Sequence, residues 1–168
     1  MTRLSPQFLR VPLAHRGLHD AQHGIPENSR AGVCAAVAAG YGIEIDLQPS
    51  RDGQAMVFHD YDLARLTAAR GPLRQRDAAD LGRLWLAETY ETIPTLAEIL
   101  DLVAGRAPLL IELKDQHGRM GETDGTLESA TATALVGYDG PVAVMSFNPQ
   151  MMIALGSRAP QVPRGLVT

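Results

Sequence analysis

A short segment in the first third of the chain alternates between apolar and polar residues. Its order is Ile43, Glu44, Ile45, Asp46, Leu47 and Gln48. This period of two predicts a β-strand with one apolar face and one acidic face. Two carboxylates on one strand face repel each other unless water or a cation offsets their charge. The acidic face is therefore interpreted either as the solvated side of an edge strand or as the wall of a cavity that holds a cation.

Short apolar runs and segments of helical period follow one another along the rest of the chain. The pattern predicts strands at residues 11–14, 43–48, 109–113, 142–146 and 164–167, with a further extended piece at 55–58. It predicts helices from a cap at Asn28 or Ser29 to Gly40, from a Thr95–Glu98 capping box to Gly105, at 126–136 and from Asn148 onward, with a shorter one near 77–84. Strands and helices that alternate in this way predict an α/β domain with a parallel sheet. The pattern fits a barrel and an open doubly wound sheet equally well.

Composition and charge narrow the classes of function. The 168 residues are 45% hydrophobic and 20% charged, which is typical of one globular domain, so residues 1–168 are interpreted as a single domain. The formal net charge is −4 and no basic block occurs, so no nucleic-acid partner is expected. No apolar run approaches the length of about 20 residues that a membrane span needs, and no stable membrane insertion is expected. The N-terminus lacks the apolar stretch of a signal peptide, which makes a cytoplasmic protein the default, and the oligomeric state is left open.

Polar residues recur where the predicted strands end, and they include acids, histidines and cations. The carboxyl ends of parallel strands meet at one edge of a sheet, where α/β proteins place their sites. The set comprises the carboxylates of Glu44, Asp46 and Glu112, the imidazoles of His15 and His59, and the cations of Arg16 and Lys114. Carboxylates suit a divalent metal ion, either Mg²⁺ or Ca²⁺. A metal, two groups that titrate near neutrality and an anion clamp together indicate phosphoryl chemistry.

Other polar residues have simpler interpretations. His19, His23 and His117 are interpreted as loop residues or as hydrogen-bonded core histidines, and Asp60 either as the partner of a site side chain or as a helix cap. The chain contains fourteen arginines but a single lysine, Lys114, which directly follows a strand that carries an acid.

An ordered series of short motifs resembles the glycerophosphodiester phosphodiesterase family. The series is His15-Arg16-Gly17, Pro26-Glu27-Asn28-Ser29, Glu44-Ile45-Asp46, Ser50-Arg51-Asp52-Gly53, His59-Asp60, Ile93-Pro94-Thr95-Leu96, Ile111-Glu112-Leu113-Lys114 and Ser146-Phe147. Each motif alone is weak evidence for a family, whereas the whole series in this order is specific to this one. The resemblance implies a TIM (β/α)8 barrel, distantly akin to the phosphatidylinositol-specific phospholipases C.

The resemblance also implies roles for the site residues. Glu44, Asp46 and Glu112 would be metal ligands, and His15 and His59 would act as general acid and base. Arg16 and Lys114 would contact phosphate, and Glu27 would support the site near the metal. The implied reaction is metal-dependent hydrolysis of glycerophosphodiesters to glycerol 3-phosphate and an alcohol, with a small-molecule substrate as the partner.

The chain departs from this family in length. A complete barrel has eight strands and typically about 250 residues, whereas this chain supplies about the first five strands, so the domain is expected to be incomplete at its C-terminus. One alternative is a phosphodiesterase directed at lysophospholipids or sphingolipids, although no apolar surface loop stands out in the sequence. Another is a domain that binds phosphate without catalysis.

Overall fold

The computed structural model describes residues 2–116, 118 and 120–168. Its strands form one sheet in the order β1-β2-β4-β5-β6, in which all neighbours are parallel, and β3 pairs antiparallel with β2. The strands are β1 (Leu13–Ala14), β2 (Gly42–Pro49), β3 (Ala55–Val57), β4 (Leu109–Leu113), β5 (Val142–Ser146) and β6 (Arg164–Leu166). The predicted α/β fold with five parallel strands is confirmed, and β3 corresponds to the extended piece predicted at 55–58.

Helices follow most of the parallel strands, as a parallel sheet requires. They are α1 (Arg30–Ala39), α2 (Ala78–Leu81), α3 (Leu96–Val103), α4 (Thr126–Ala134) and α5 (Pro149–Arg158), with 3-10 turns at Pro6–Leu9, Ala21–His23, Leu63–Arg65 and Leu73–Gln75. None of the helices in the described part of the chain combines the length and the apolar character needed to cross a membrane.

The sequence signals at the helix ends are confirmed by the geometry. The hydroxyl of Ser29 accepts from the N–H of Gly32 at the start of α1, and Gly40 ends that helix in the left-handed conformation. The capping box of Thr95 and Glu98 is complete at α3. Some bounds were predicted too widely: β1 begins at Leu13 because Pro12 has no N–H to give to a ladder, and α2 spans only four residues.

Strand β2 is a central strand, which overturns the interpretation of its acidic face as a solvated edge. It lies between β1 and β4, and all eight of its residues are buried. Ile43, Ile45 and Leu47 pack into the main core between the sheet and the helices. The acids of β2 therefore lie on the opposite face of the sheet, here called the inner face, which points away from the helices. Burial of unpaired charge there is costly.

A second, smaller core lies under the segment between β3 and α3. It is formed by Met56, Phe58, Leu63, Leu73, Leu81, Leu86 and Ile93. Complete burial of one such side chain contributes on the order of 2 kcal/mol. This segment carries His59, Asp60 and Arg65, so a core of its own fixes the backbone that leads to the site.

Candidate active site

The three acids of the predicted metal site converge on the inner face of the sheet. Asp46 of β2 and Glu112 of β4 are register partners, and Glu44 lies two residues earlier on the same face of β2. One carboxylate oxygen from each of the three residues lies within 4.8 Å of the others. All three side chains belong to buried residues, with relative exposures of 5%, 1% and 7% for Glu44, Asp46 and Glu112. Parallel pairing thus brings together acids that are far apart in sequence.

The ammonium of Lys114 partly offsets this buried charge. Its Nζ lies 2.8 Å from Asp46 Oδ1 and 2.7 Å from Glu112 Oε1. Burial lowers the pKa of Lys114, but the hydrogen bonds to these two carboxylates outweigh burial and the net pKa is raised. Lys114 is therefore a fixed cation between two of the three acids.

Among the described residues, no lysine or arginine side chain forms an ion pair with Glu44. Burial, followed by repulsion from Asp46, raises its pKa to about 7, although the backbone N–H of Arg16, 3.0 Å from Oε2, opposes this shift. Its other oxygen, Oε1, is buried without a hydrogen-bond partner among the residues described here. An orphaned carboxylate oxygen beside two further carboxylates is the all-oxygen donor set that a hard divalent cation prefers. The residues present therefore fit Mg²⁺ or Ca²⁺.

Arg16 approaches the acids from the loop after β1. It adopts a left-handed backbone, with φ of 59°. Its Nε lies 3.3 Å from Asp46 Oδ2, and its Nη1 donates to Glu27 Oε1 at 3.0 Å. Arg16 therefore contacts the acid cluster directly. Glu27 lies outside the cluster and contacts it only through Arg16.

Asn28 is a site residue that the sequence interpretation missed. Since Ser29 caps α1, the Asn28 side chain is free to bind Asp46. Its Nδ2 donates to Asp46 Oδ2 at 2.9 Å, and its Oδ1 accepts from the backbone N–H of Asp46 at 3.2 Å. Asn28 is buried and has φ of 54°, a conformation that asparagine tolerates better than most residues. Two signals in the sequence pointed to it: its position directly before the serine cap and its place in the motif Pro26-Glu27-Asn28-Ser29.

The two predicted histidines lie in different surroundings. His15 follows β1 with its side chain 70% exposed, and its Nε2 lies 3.9 Å from Glu44 Oε2. His59 is partly buried, and its Nδ1 lies 2.6 Å from Asp60 Oδ1. The Gln48 amide donates to the backbone carbonyl of His59 at 2.9 Å, which connects this loop to β2.

Asp60 contacts two side chains near the acids. It binds His59 and Arg65, and it caps none of the helices in the described part of the chain. Burial raises its pKa, but hydrogen bonds from Arg65 and His59 outweigh burial and hold the pKa below the ordinary value. Of the other histidines, His19 and His23 lie on an exposed loop as predicted, and His117 lies outside the described residues.

A cavity of about 760 Å³ opens beside the acids. Its lining includes the polar side chains of His59, Arg65, Glu112 and Lys114 and the large, exposed side chains of Tyr61, Met120 and Phe147. Ser146 does not join the site, because its hydroxyl donates to the carbonyl of Leu113 and is buried.

Comparison with known proteins identifies the family of this chain. Residues 15–168 match the model of the glycerophosphoryl diester phosphodiesterase family. The chain belongs to this family. A glycerophosphodiester phosphodiesterase of Bacillus subtilis strain 168 is 29% identical over 179 residues, which cover 95% of this chain and 59% of that protein.

Solved structures of similar proteins have the same fold. A phosphodiesterase of Oleispira antarctica, in complex with the product sn-glycerol-3-phosphate, superposes with a TM-score of 0.81 at 29% identity over 93% of this chain. A glycerophosphodiester phosphodiesterase of Agrobacterium tumefaciens gives 0.75 at 28% identity over 92% of the chain. The chain spans 65% of each of these two. Membership of the glycerophosphodiester phosphodiesterase family, inferred from the motif series, is confirmed.

Proposed function

We propose that this chain carries the site of a metal-dependent phosphodiesterase that hydrolyses glycerophosphodiesters to glycerol 3-phosphate and an alcohol. The observation that carries the proposal is the convergence of Glu44, Asp46 and Glu112 on one buried point with Lys114 beside them. Family membership and the product in the similar Oleispira antarctica structure support it.

Glu44, Asp46 and Glu112 would hold the metal ion, Mg²⁺ or Ca²⁺. A bound divalent cation would withdraw electron density from a phosphoryl oxygen and so favour attack on phosphorus. Arg16 and Lys114 would contact the remaining phosphoryl oxygens. Both are held in place by carboxylates, so their charges are oriented before the substrate arrives.

The two histidines would move the protons. One accepts the proton of the substrate's own glycerol hydroxyl as that oxygen attacks phosphorus, and the other gives a proton to the departing alcohol oxygen. Water then opens the resulting cyclic phosphate to glycerol phosphate, with the two roles exchanged. His59 suits such a role because Asp60 accepts from its Nδ1 and leaves Nε2 for the substrate. His15 is the second candidate, because its Nε2 lies 3.9 Å from Glu44 Oε2.

The residues that line the cavity also support a second class of substrate, the lysophospholipids. Tyr61, Met120 and Phe147 present apolar surface beside Glu112 and Lys114, a feature that the sequence did not reveal. A glycerol moiety that carries an acyl chain, as in a lysophospholipid, would bury this surface. The same acids and histidines would act on both classes.

The test is release of glycerol 3-phosphate from glycerophosphocholine, with and without EDTA. We expect turnover that EDTA removes and that added Mg²⁺ or Ca²⁺ restores. Turnover that is unaffected by the chelator would contradict the role of the metal. Phosphate binding without turnover would favour the alternative of a non-catalytic binding domain. Faster turnover of a lysophospholipid than of glycerophosphocholine would favour the second substrate class.

A further inference from the structure

Arg65 binds two carboxylates at once. Its Nε and Nη2 donate to Asp60 at 2.5 and 3.1 Å, and its Nη1 and Nη2 donate to Glu27 at 3.0 and 2.7 Å. All three guanidinium nitrogens are therefore engaged, in the planar fork geometry that arginine provides and lysine does not. Although Arg65 lines the cavity, its guanidinium N–H groups donate to Asp60 and Glu27 and not into the cavity.

Each of these carboxylates in turn contacts a side chain of the proposed site. Asp60 lies 2.6 Å from His59 Nδ1, and Glu27 lies 3.0 Å from Arg16 Nη1. An ionised carboxylate can only accept, so in the neutral form of the His59 imidazole the proton lies on Nδ1 and the lone pair on Nε2. The state of the imidazole thus depends on Asp60 being ionised and correctly oriented.

We propose that Arg65 is a positioning residue that couples the proton-transferring imidazole of His59 to the phosphate contact of Arg16. The coupling runs through Asp60 on one side and Glu27 on the other. The proposal rests on the proposed function, since it assigns Arg65 a part in that reaction without contact to the substrate.

The electrostatics of the two carboxylates support this role. Burial raises the pKa of Glu27, but the hydrogen bond and charge of Arg65, with a smaller effect of Arg16, make the net pKa lower than the ordinary value. The pKa of Asp60 is lowered against burial in the same way. Without the guanidinium, two carboxylates would face a shared space with no cation between them, and both His59 and Arg16 would lose a fixed acceptor.

The kinetic test compares Arg65→Met with Arg51→Met. Methionine retains much of the length of the side chain and removes the charge. Arg51 is a matched control, because it forms a bidentate pair with Asp77 outside the residues of the site. We expect Arg65→Met to lower kcat by about tenfold to a hundredfold, the usual effect of losing a partner that orients a site residue, and to raise KM because Arg16 is also affected. Arg65→Lys should recover part of the loss, and Arg51→Met should leave both constants unchanged.

A second measurement does not depend on turnover. In ¹⁵N NMR of the imidazole rings, neutral His59 should be in the Nδ1–H tautomer, and Arg65→Met should increase the Nε2–H form. His23 is an internal reference, because its Nδ1 lies 2.6 Å from Asp20 in a pair without Arg65. Asp60→Asn should shift the tautomer further, and its effect should not add to that of Arg65→Met if the two act through one network.

The outcomes separate the two proposals. Inactive wild-type protein with a tautomer shift in Arg65→Met would refute the proposed function and retain the positioning role. An unchanged His59 tautomer in a folded Arg65→Met variant would overturn the positioning role, as would equal kinetic losses in Arg65→Met and Arg51→Met. If Arg65→Met does not fold, Arg65→Gln, which also removes the charge, carries the same comparison, and an unchanged tautomer in that variant would likewise overturn it.

Discussion

Asp46 and Glu112 face each other across two adjacent parallel strands, and the ammonium of Lys114 bridges their carboxylates. This relationship joins residues 66 positions apart in the sequence (112 − 46). Lys114 and Arg16 against three acids still leave an excess of negative charge in a buried place, which a divalent cation would balance. The three acids of the proposed metal site and the cations that adjoin them are thus parts of one electrostatic arrangement.

The first prediction concerns the metal. Glu112→Gln removes one anionic ligand and should weaken Mg²⁺ or Ca²⁺ binding by about tenfold or more, because the affinity of a calcium site depends on the charge of its ligands. Isothermal titration calorimetry on the metal-free protein measures this directly. Glu88→Gln, at an exposed position, is the control and should bind metal as the wild type does. Equal affinities in the two variants would remove Glu112 from the metal site.

The second prediction separates the site role of Asn28 from the capping role of Ser29. Asn28→Gly keeps the left-handed backbone and removes the amide that orients Asp46, so turnover should fall by about tenfold to a hundredfold with little loss of stability. Ser29→Ala should do the opposite and reduce the free energy of unfolding by about 1 kcal/mol through loss of the cap of α1. Turnover and urea unfolding of both variants provide the comparison. A purely structural Asn28 would show the pattern of Ser29.

The third prediction concerns Gly17, which follows Arg16. Its φ is +79°, and a Cβ there would lie 3.0 Å from the backbone carbon of Gly32 in α1. Gly17→Ala should therefore destabilise the fold by about 1–3 kcal/mol, through strain at a positive φ and displacement of α1. Gly24→Ala, at a similar φ of +73° but with open space around the Cβ, isolates the contribution of strain alone. Thermal unfolding of the pair should show the larger loss at Gly17.

The fourth prediction is a dependence of stability on pH. The pKa values of Glu27 and Asp60 are lower in the folded protein than their ordinary values. Groups with lowered pKa values stabilise the fold above their unfolded pKa, and this contribution is lost as the pH falls through the folded pKa. Arg65→Met should cost about 1 kcal/mol at pH 7, and its difference from wild type should narrow below about pH 4. Urea unfolding in EDTA from pH 3 to 7 measures both curves, and a constant difference would contradict the pairing.

The fold and the acid cluster could be predicted from the sequence because both follow from short-range signals. The alternation in β2 and the caps of α1 and α3 are local, and the parallel register then brings Glu44, Asp46 and Glu112 together without further information. Asn28 was missed because its role arises from the turn that brings it next to β2, which no local period records. The bridge through Arg65 was missed for the same reason: it joins Glu27 and Asp60, which approach each other only after the loops that follow β1 and β3 have packed.

The segment between β3 and α3 packs around a smaller core of its own, separate from the main core beneath the sheet. The carboxylates are on the sheet and share its cooperative stability, whereas His59, Asp60 and Arg65 are on a segment with its own packing. Partial opening of that segment would withdraw the imidazole while the acids stay in place. In the proposed mechanism, cation binding by the acids and proton transfer by His59 would therefore depend on two separately packed parts of the molecule, and substitutions in one part could alter reactivity without disrupting the other.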